Sequence, residues 1–159
     1  MGNFYWSGEY LPKDTAQAVA LFRKACNDEW DGGCSSLGEM YENGEGVEKD
    51  PLKALELYKR SCKDKGFMEG CANLGRMYES GTGVPVDLLK AVTLYSKACD
   101  SGTHPGCRSL GILYETGKGL SRDIEKARGL YRDACESTYP DAIACERLKA
   151  LPPTEATHP

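Results

Sequence analysis

Apolar and polar positions along this 159-residue chain follow the period of an amphipathic helix, and the pattern returns about every 36 residues. In one unit Cys34, Leu37 and Tyr41 share a face at helical spacing. After a glycine-containing segment, Ala54 and Tyr58 begin a second apolar face with the same spacing. The pattern therefore predicts two helices per unit, a first helix and a second helix.

Local signals set the ends of these helices. The first helix is predicted from about Gly33 to Asn43, because Gly44 follows it and a glycine there can take the left-handed cap conformation. Asp50 stands at an N-cap position, with Pro51 at the first helical position, and the second helix continues to about Cys62. The aspartates in register with Asp50 are Asp14, Asp87 and Asp123.

Several packing positions recur in the same phase in every unit. Small residues at these positions favour close approach of the two helices, and the recurring aromatics of both helices are predicted to be core. The small residues are Gly38, Gly75 and Gly111 on first helices and Ala18, Ala54, Ala91 and Ala127 on second helices. The aromatics are Tyr41, Tyr78 and Tyr114 on first helices and Phe22, Tyr58, Tyr95 and Tyr131 on second helices.

Two helices per unit, stacked in series, predict an all-α fold, an α–α superhelix or solenoid of about four repeats. The predicted repeat array covers residues 1–151. Its parts are a partial repeat (1–29), three full repeats (30–65, 66–102 and 103–138) and a partial terminal helix (139–151). Residues 152–159 are predicted to form a disordered tail, since they are polar and rich in proline.

The repeat resembles the Sel1-like repeat, a relative of the tetratricopeptide repeat with a longer loop between its helices. The resemblance covers Gly2 to about Leu151, and one unit shows all its features: Leu37-Gly38, Tyr41, Gly44-x-Gly46-Val47, Asp50, Lys53-Ala54 and Tyr58. The cysteine pair in each unit resembles the Helicobacter cysteine-rich protein branch, whose repeats each carry a disulfide. Paired cysteines also occur in members from the mitochondrial intermembrane space.

Each cysteine pair joins the end of a second helix to the start of the next first helix. A short turn brings these termini within reach of a disulfide, so we predict local pairing. The predicted pairs are Cys26–Cys34, Cys62–Cys71, Cys99–Cys107 and Cys135–Cys145. Reduced structural thiols are the second interpretation. Zinc is the weakest, because the cysteine spacings exceed those of zinc sites and the chain has only His104 and His158.

Charge and motifs point away from several function classes. A net charge of −4 argues against a nucleic-acid binder, and no apolar stretch is long enough to span a membrane. The Gly-x-Gly segments lack the third glycine of a dinucleotide fingerprint. His104 is expected to be a solvated turn residue. We therefore expect no catalytic residue, no metal ion and no cofactor.

Positions that flank the packing stripe of the first helices change from repeat to repeat. They are Ser36, Glu39 and Asn43, then Asn73, Arg76 and Ser80, then Ser109, Ile112 and Thr116. In the resembled family first helices line the concave face, the usual binding surface of a solenoid. Replacing Asn73 and Arg76 together is expected to weaken partner binding and leave thermal unfolding nearly unchanged.

The leading hypothesis is a non-enzymatic scaffold that binds a protein or an extended peptide on this concave face, with the oligomeric state left open. The resemblance implies one alternative, β-lactam binding or weak β-lactamase activity, although the chain lacks Ser-x-x-Lys and Lys-Thr-Gly. A second alternative is a mitochondrial intermembrane-space assembly factor. Four disulfides would require an oxidising compartment, the bacterial periplasm or the secreted state first and the intermembrane space second.

Overall fold

The computed structural model describes residues 2–7, 13–63 and 67–153, and every regular element in these ranges is an α-helix. The prediction of an all-α repeat solenoid is confirmed. Residues 154–159 of the predicted tail lie outside the described residues. The helices are α1 (Gly2–Ser7), α2 (Thr15–Asn27), α3 (Asp31–Asn43), α4 (Pro51–Ser61), α5 (Met68–Ser80), α6 (Leu88–Asp100), α7 (His104–Thr116), α8 (Ile124–Cys135) and α9 (Ala142–Ala150).

The second helices begin at the predicted aspartates. The Asp50 carboxylate accepts a hydrogen bond of 3.1 Å from the backbone N–H of Lys53, and the equivalent aspartates cap α2, α6 and α8 in the same way. The first helix α3 begins at Asp31, two residues before the predicted start. The reason is that the Trp30 carbonyl accepts the backbone N–H of Gly33 at 3.0 Å and so completes an earlier turn.

A glycine on each first helix faces a tyrosine on its second helix. A Cβ atom at Gly38 would lie 2.7 Å from Cε1 of Tyr58, and one at Gly75 would lie 2.8 Å from the same atom of Tyr95. Both tyrosine rings are fully buried, so neither can move aside. The small residue therefore lets the two helices of a repeat approach closely enough to enclose an aromatic ring.

The repeats stack through their helices and through the loops that contain two glycines. First helices contact the first helices of the next repeat, α3 against α5 and α5 against α7. The second glycine of each loop packs on the start of the preceding second helix. Gly119, for example, has a φ of 73°, and a Cβ there would lie 2.6 Å from Cβ of Leu88. Each loop is thus part of the contact between repeats.

One disulfide joins each pair of successive units. The Cα–Cα separations are 4.5 Å for Cys26–Cys34, 4.6 Å for Cys62–Cys71, 4.4 Å for Cys99–Cys107 and 4.9 Å for Cys135–Cys145. These distances lie within the range that a disulfide spans. The fold therefore has the predicted covalent link at every junction. In the described part of the chain, no helix is both long enough and apolar enough to cross a bilayer.

Candidate binding face on the first helices

The nine predicted binding residues lie on α3, α5 and α7, three on each helix, and we call this set the inner face. None of the nine is fully buried. The exposed members are Asn43, Arg76, Ser80 and Thr116; the half-buried members are Ser36, Glu39, Asn73, Ser109 and Ile112. The inner face therefore combines side chains open to solvent with others that touch the scaffold.

Beside the inner face, each full repeat contains a hydrogen bond between its buried tyrosine and a glutamate near the end of its first helix. The Tyr58 hydroxyl donates to Oε2 of Glu42 at 2.9 Å, and Tyr95 donates to Glu79 at 2.8 Å. Tyr131 completes the set by donating to Glu115 at 2.6 Å. We call these contacts the Tyr–Glu pairs. Burial raises the pKa of all three phenols, so each remains a protonated donor.

The sequence predictions missed these glutamates. The signal was nevertheless present, because a glutamate stands 16 residues before each of Tyr58, Tyr95 and Tyr131. A polar residue that stands at the same spacing from a buried aromatic in every repeat indicates a contact that the repeats share.

At the junction of α3 and α5 the Tyr–Glu pair is completed by an arginine from the next repeat. Nη1 and Nη2 of Arg76 each donate to one carboxylate oxygen of Glu42, both at 2.6 Å. Burial alone would raise the pKa of Glu42, but the hydrogen bonds and charge of Arg76 outweigh it and lower this pKa. We call this the closed junction.

At the last junction, between α7 and α9, an arginine also reaches the Tyr–Glu pair, but from a different position on its helix. Nη1 of Arg147 on α9 donates to Oε2 of Glu115 at 2.9 Å. Arg147 lies two residues after the cysteine in its helix, which is the position of Ser109 in α7. Arg76 lies five residues after the cysteine in its helix, which is the position of Ile112 in α7. A guanidinium from the next helix therefore reaches the Tyr–Glu pair from either of two sites.

The junction of α5 and α7 differs, because Ser109 and Ile112 occupy both of these sites. Glu79 accepts the Tyr95 hydroxyl bond but makes no ion pair within the described residues. A groove of about 480 Å³ opens here, lined by Arg76, Glu79, Ser80, Val86, Leu88 and Lys118. We call this the open junction, and two predicted residues, Arg76 and Ser80, lie in its groove.

Asn73 and Arg76 serve the scaffold, and this corrects one expectation. Nδ2 of Asn73 donates to Oε1 of Glu39 at 3.0 Å, which ties α5 to α3 alongside the Arg76–Glu42 contact. Replacing both residues would remove hydrogen bonds between repeats, so thermal unfolding would change. Burial raises the pKa of Glu39, although the Asn73 hydrogen bond opposes the shift.

The remaining inner-face residues have mostly local contacts. The Ser80 hydroxyl lies 2.7 Å from the Thr82 hydroxyl, and Thr116 donates to the Ile112 carbonyl at 2.7 Å. Ile112 also packs on the core around α8. Ser80 and Thr116 can therefore be substituted with little cost to contacts between repeats.

His104 and clusters of metal-ligating side chains are the other candidates for chemistry. His104 is the first residue of α7, where the sequence prediction had a turn. Across residues 2–7, 13–63 and 67–153, no three side chains of His, Cys, Asp or Glu cluster as metal ligands would. The inner face is thus the surface on which a functional hypothesis can be built.

Comparison with known proteins agrees with this architecture. Matches to the Sel1 repeat cover residues 1–28, 33–65, 69–103 and 104–139. A Sel1 repeat protein from Oxalobacter formigenes is 26% identical, with a TM-score of 0.81 over 94% of this chain and 60% of that protein. A protective antigen of uropathogenic Escherichia coli with an SLR fold is 32% identical, with a TM-score of 0.76 over 94% of this chain and 31% of that protein.

A third structure shares the cysteine-rich character. Cysteine rich protein B of Helicobacter pylori is 32% identical, with a TM-score of 0.65 over 89% of this chain and 99% of that protein. No curated protein sequence gives a match. The chain spans less than two thirds of the first two proteins and nearly the whole of the third. Because Sel1 repeat matches extend over most of its length, the chain belongs to the Sel1 repeat family.

Proposed function

We propose that this protein is a non-enzymatic interaction scaffold whose inner face binds a protein or an extended peptide segment. Sel1 repeat proteins are typically protein-interaction scaffolds, and that coarse assignment applies here. The observation that carries the finer proposal is the contrast between constant and variable positions. The buried Tyr–Glu pairs are identical in three repeats, while the inner face presents different groups at each equivalent position.

The packing of the helices supports the choice of face. First helices lie directly against one another from repeat to repeat, which places their exposed side chains in one continuous row. A continuous row of changing groups suits a segment that runs along several repeats, with each repeat contacting a different part of it. The groove at the open junction is lined by two residues of this row, Arg76 and Ser80, and offers room for a side chain.

The four disulfides indicate an oxidising compartment. We propose the bacterial periplasm or the secreted state, since the three similar structures are all of bacterial proteins. The partner would then be another protein of that compartment. The mitochondrial intermembrane space is the alternative location.

The test uses the oxidised protein and a displayed library of unstructured peptides. Peptides selected on the wild-type protein are measured against Ser80→Trp and Thr116→Trp, two changes that enlarge exposed residues of the inner face. We expect each change to weaken binding by about tenfold or more, because a bulky ring would block the row. Lys59→Trp is the matched control, since Lys59 is also exposed but lies on the second helix α4.

The readout is the dissociation constant from fluorescence anisotropy, with thermal unfolding recorded for each variant. Selected peptides that bind both inner-face variants as tightly as wild type, or that lose affinity only with Lys59→Trp, would contradict the proposal. A selection that yields no binding peptide from a diverse library would also count against it.

A further inference from the structure

We propose that the open junction is a subsite for an arginine side chain of the bound segment, with the Glu79 carboxylate as the acceptor. The inference rests on the proposed function, because it assigns one chemical group of the partner to one place on the inner face. It concerns a pair of interacting groups and predicts no covalent chemistry.

The equivalent glutamates show what Glu79 can bind. Glu42 and Glu115 each accept a tyrosine hydroxyl from their own repeat and a guanidinium from the next. Glu79 has the same tyrosine contact, with the hydroxyl of Tyr95 at 2.8 Å. The arrangement that binds a guanidinium at two junctions is therefore preserved at the third, where the chain itself supplies none among the described residues.

Both internal sources of the guanidinium are replaced at the open junction. Arg76 reaches Glu42 from a position that is Ile112 in the next repeat, and Arg147 reaches Glu115 from a position that is Ser109. Neither isoleucine nor serine can donate a charged hydrogen bond. A partner that supplies an arginine would restore the contact that the sequence omits here.

The groove has the volume and the lining that an arginine side chain requires. Its volume of about 480 Å³ exceeds that of a single side chain, and Val86 and Leu88 provide apolar wall beside Glu79. Val86 is 59% exposed, so its surface is free to pack on the methylene stem of an incoming arginine. The carboxylate then receives the charged end of that side chain.

Three charged side chains line the groove: Arg76, Glu79 and Lys118. Arg76 already makes two hydrogen bonds to Glu42, so its charge is largely offset there. Lys118 lines the groove and is exposed, and it is the cation that an incoming arginine would have to displace towards solvent. With Arg76 paired to Glu42 and Lys118 able to move towards solvent, Glu79 is the carboxylate in the groove lining that can receive an incoming guanidinium.

The test titrates the ¹⁵N-labelled, oxidised protein with Nα-acetyl-arginine methylamide and follows backbone amide shifts by NMR. We expect saturable shifts centred on Glu79, Ser80 and Lys118, with a dissociation constant on the order of 1–10 mM. Nα-acetyl-norleucine methylamide is the uncharged probe and should produce no saturable shift. Equal binding of the two probes would overturn the proposal.

Three variants sharpen the test. Glu79→Gln should weaken binding by about fivefold or more, because it removes the charge and keeps the shape. Ser109→Arg should weaken it similarly by placing an internal guanidinium at the position from which Arg147 reaches its glutamate. Glu48→Gln, which neutralises an exposed glutamate in the loop after α3, is the control and should leave the constant unchanged.

The outcome for Glu79→Gln decides the proposal even if Ser109→Arg disturbs folding. Unchanged affinity in Glu79→Gln, with thermal unfolding like that of wild type, would overturn the subsite. The failure of this subsite is distinguishable from failure of the scaffold function: library peptides that bind the inner face but are insensitive to Glu79→Gln would overturn only the subsite. Saturable arginine binding at Glu79 without any selected peptide would support only the subsite.

Discussion

The closed and open junctions contain the same tyrosine, glycine and glutamate, yet within the residues that the structure describes an arginine reaches the glutamate only at the closed junction. At the closed junction Arg76 holds Glu42, whose side chain is 11% exposed. At the open junction Ile112 replaces the arginine, and Glu79 lines a groove instead. A repeat that lacks an arginine at both positions therefore leaves the preceding glutamate at a groove and not in a contact between repeats.

The difference shows how a repeat protein separates stability from recognition. Positions that enclose the tyrosine ring do not vary, because each repeat must bury the same ring against the same glycine. The positions that supply or withhold an arginine do vary, and the fold tolerates either choice because disulfides and the core hold the repeats together. Recognition can then change without a change of architecture.

The largest effect on stability is expected from the buried tyrosine ring, which the two junctions have in common. Tyr58→Ala and Tyr95→Ala each remove a fully buried ring, so both should lower the free energy of unfolding by about 3–5 kcal/mol. Urea denaturation of the oxidised variants measures this. A loss confined to one of the two variants would show that the junctions do not share the same core.

The next effect concerns the disulfides at the two junctions, Cys62–Cys71 at the closed junction and Cys99–Cys107 at the open junction. Removing Cys62–Cys71 or Cys99–Cys107 by paired Cys→Ser changes should each cost about 2.5 kcal/mol, since the closed loops are of similar length. The check is chemical denaturation, with free thiols counted by intact mass. Eight free thiols in the wild-type protein from its native compartment would contradict the disulfide assignment itself.

The smallest expected effect is the pH dependence of stability that arises from two nearby glutamates on α3, Glu39 and Glu42. The pKa of Glu42 is lowered, so its contribution to stability is present above its usual value of 4.5 and is lost as pH falls through its folded pKa. The pKa of Glu39 is raised by burial, so stability should decline as pH rises from 4.5 through its folded pKa.

Thermal unfolding between pH 3 and pH 7 separates the two contributions. Glu39→Gln should reduce the decline above pH 4.5, and Glu42→Gln should reduce the loss below it. Carbon-detected NMR titration measures the two pKa values directly, and the titration midpoint of Glu39 should lie above that of Glu42. The reverse order would mean that Arg76 does not hold Glu42 in solution.

Features that are local or periodic were predictable from the sequence. Asp50 as a cap and the cysteine pairs depend on a few neighbouring residues, and the contact of Gly38 with Tyr58 is marked by its recurrence in each repeat. The first helix starts earlier than predicted because the carbonyl of an exposed tryptophan, Trp30, completes its first turn, and no side-chain signal marks that contact.

The contacts between repeats were harder to predict. Whether Arg76 reaches Glu42 depends on the angle at which one hairpin stacks on the next, and that angle is set by the whole core. Arg147 makes the equivalent contact from another helix position, so alignment of the repeats does not reveal it. The open junction is therefore defined by the three-dimensional positions of both arginines and not by their positions in the repeat.

The most direct test of the account compares the free energy of unfolding of Glu42→Gln with that of Glu79→Gln at pH 7. Both changes preserve the shape of the side chain and leave an acceptor for the tyrosine hydroxyl. We predict a loss of about 1–2 kcal/mol for Glu42→Gln, because it breaks the contact with Arg76, and less than about 0.5 kcal/mol for Glu79→Gln. Equal losses in the two variants would contradict the distinction between a closed and an open junction.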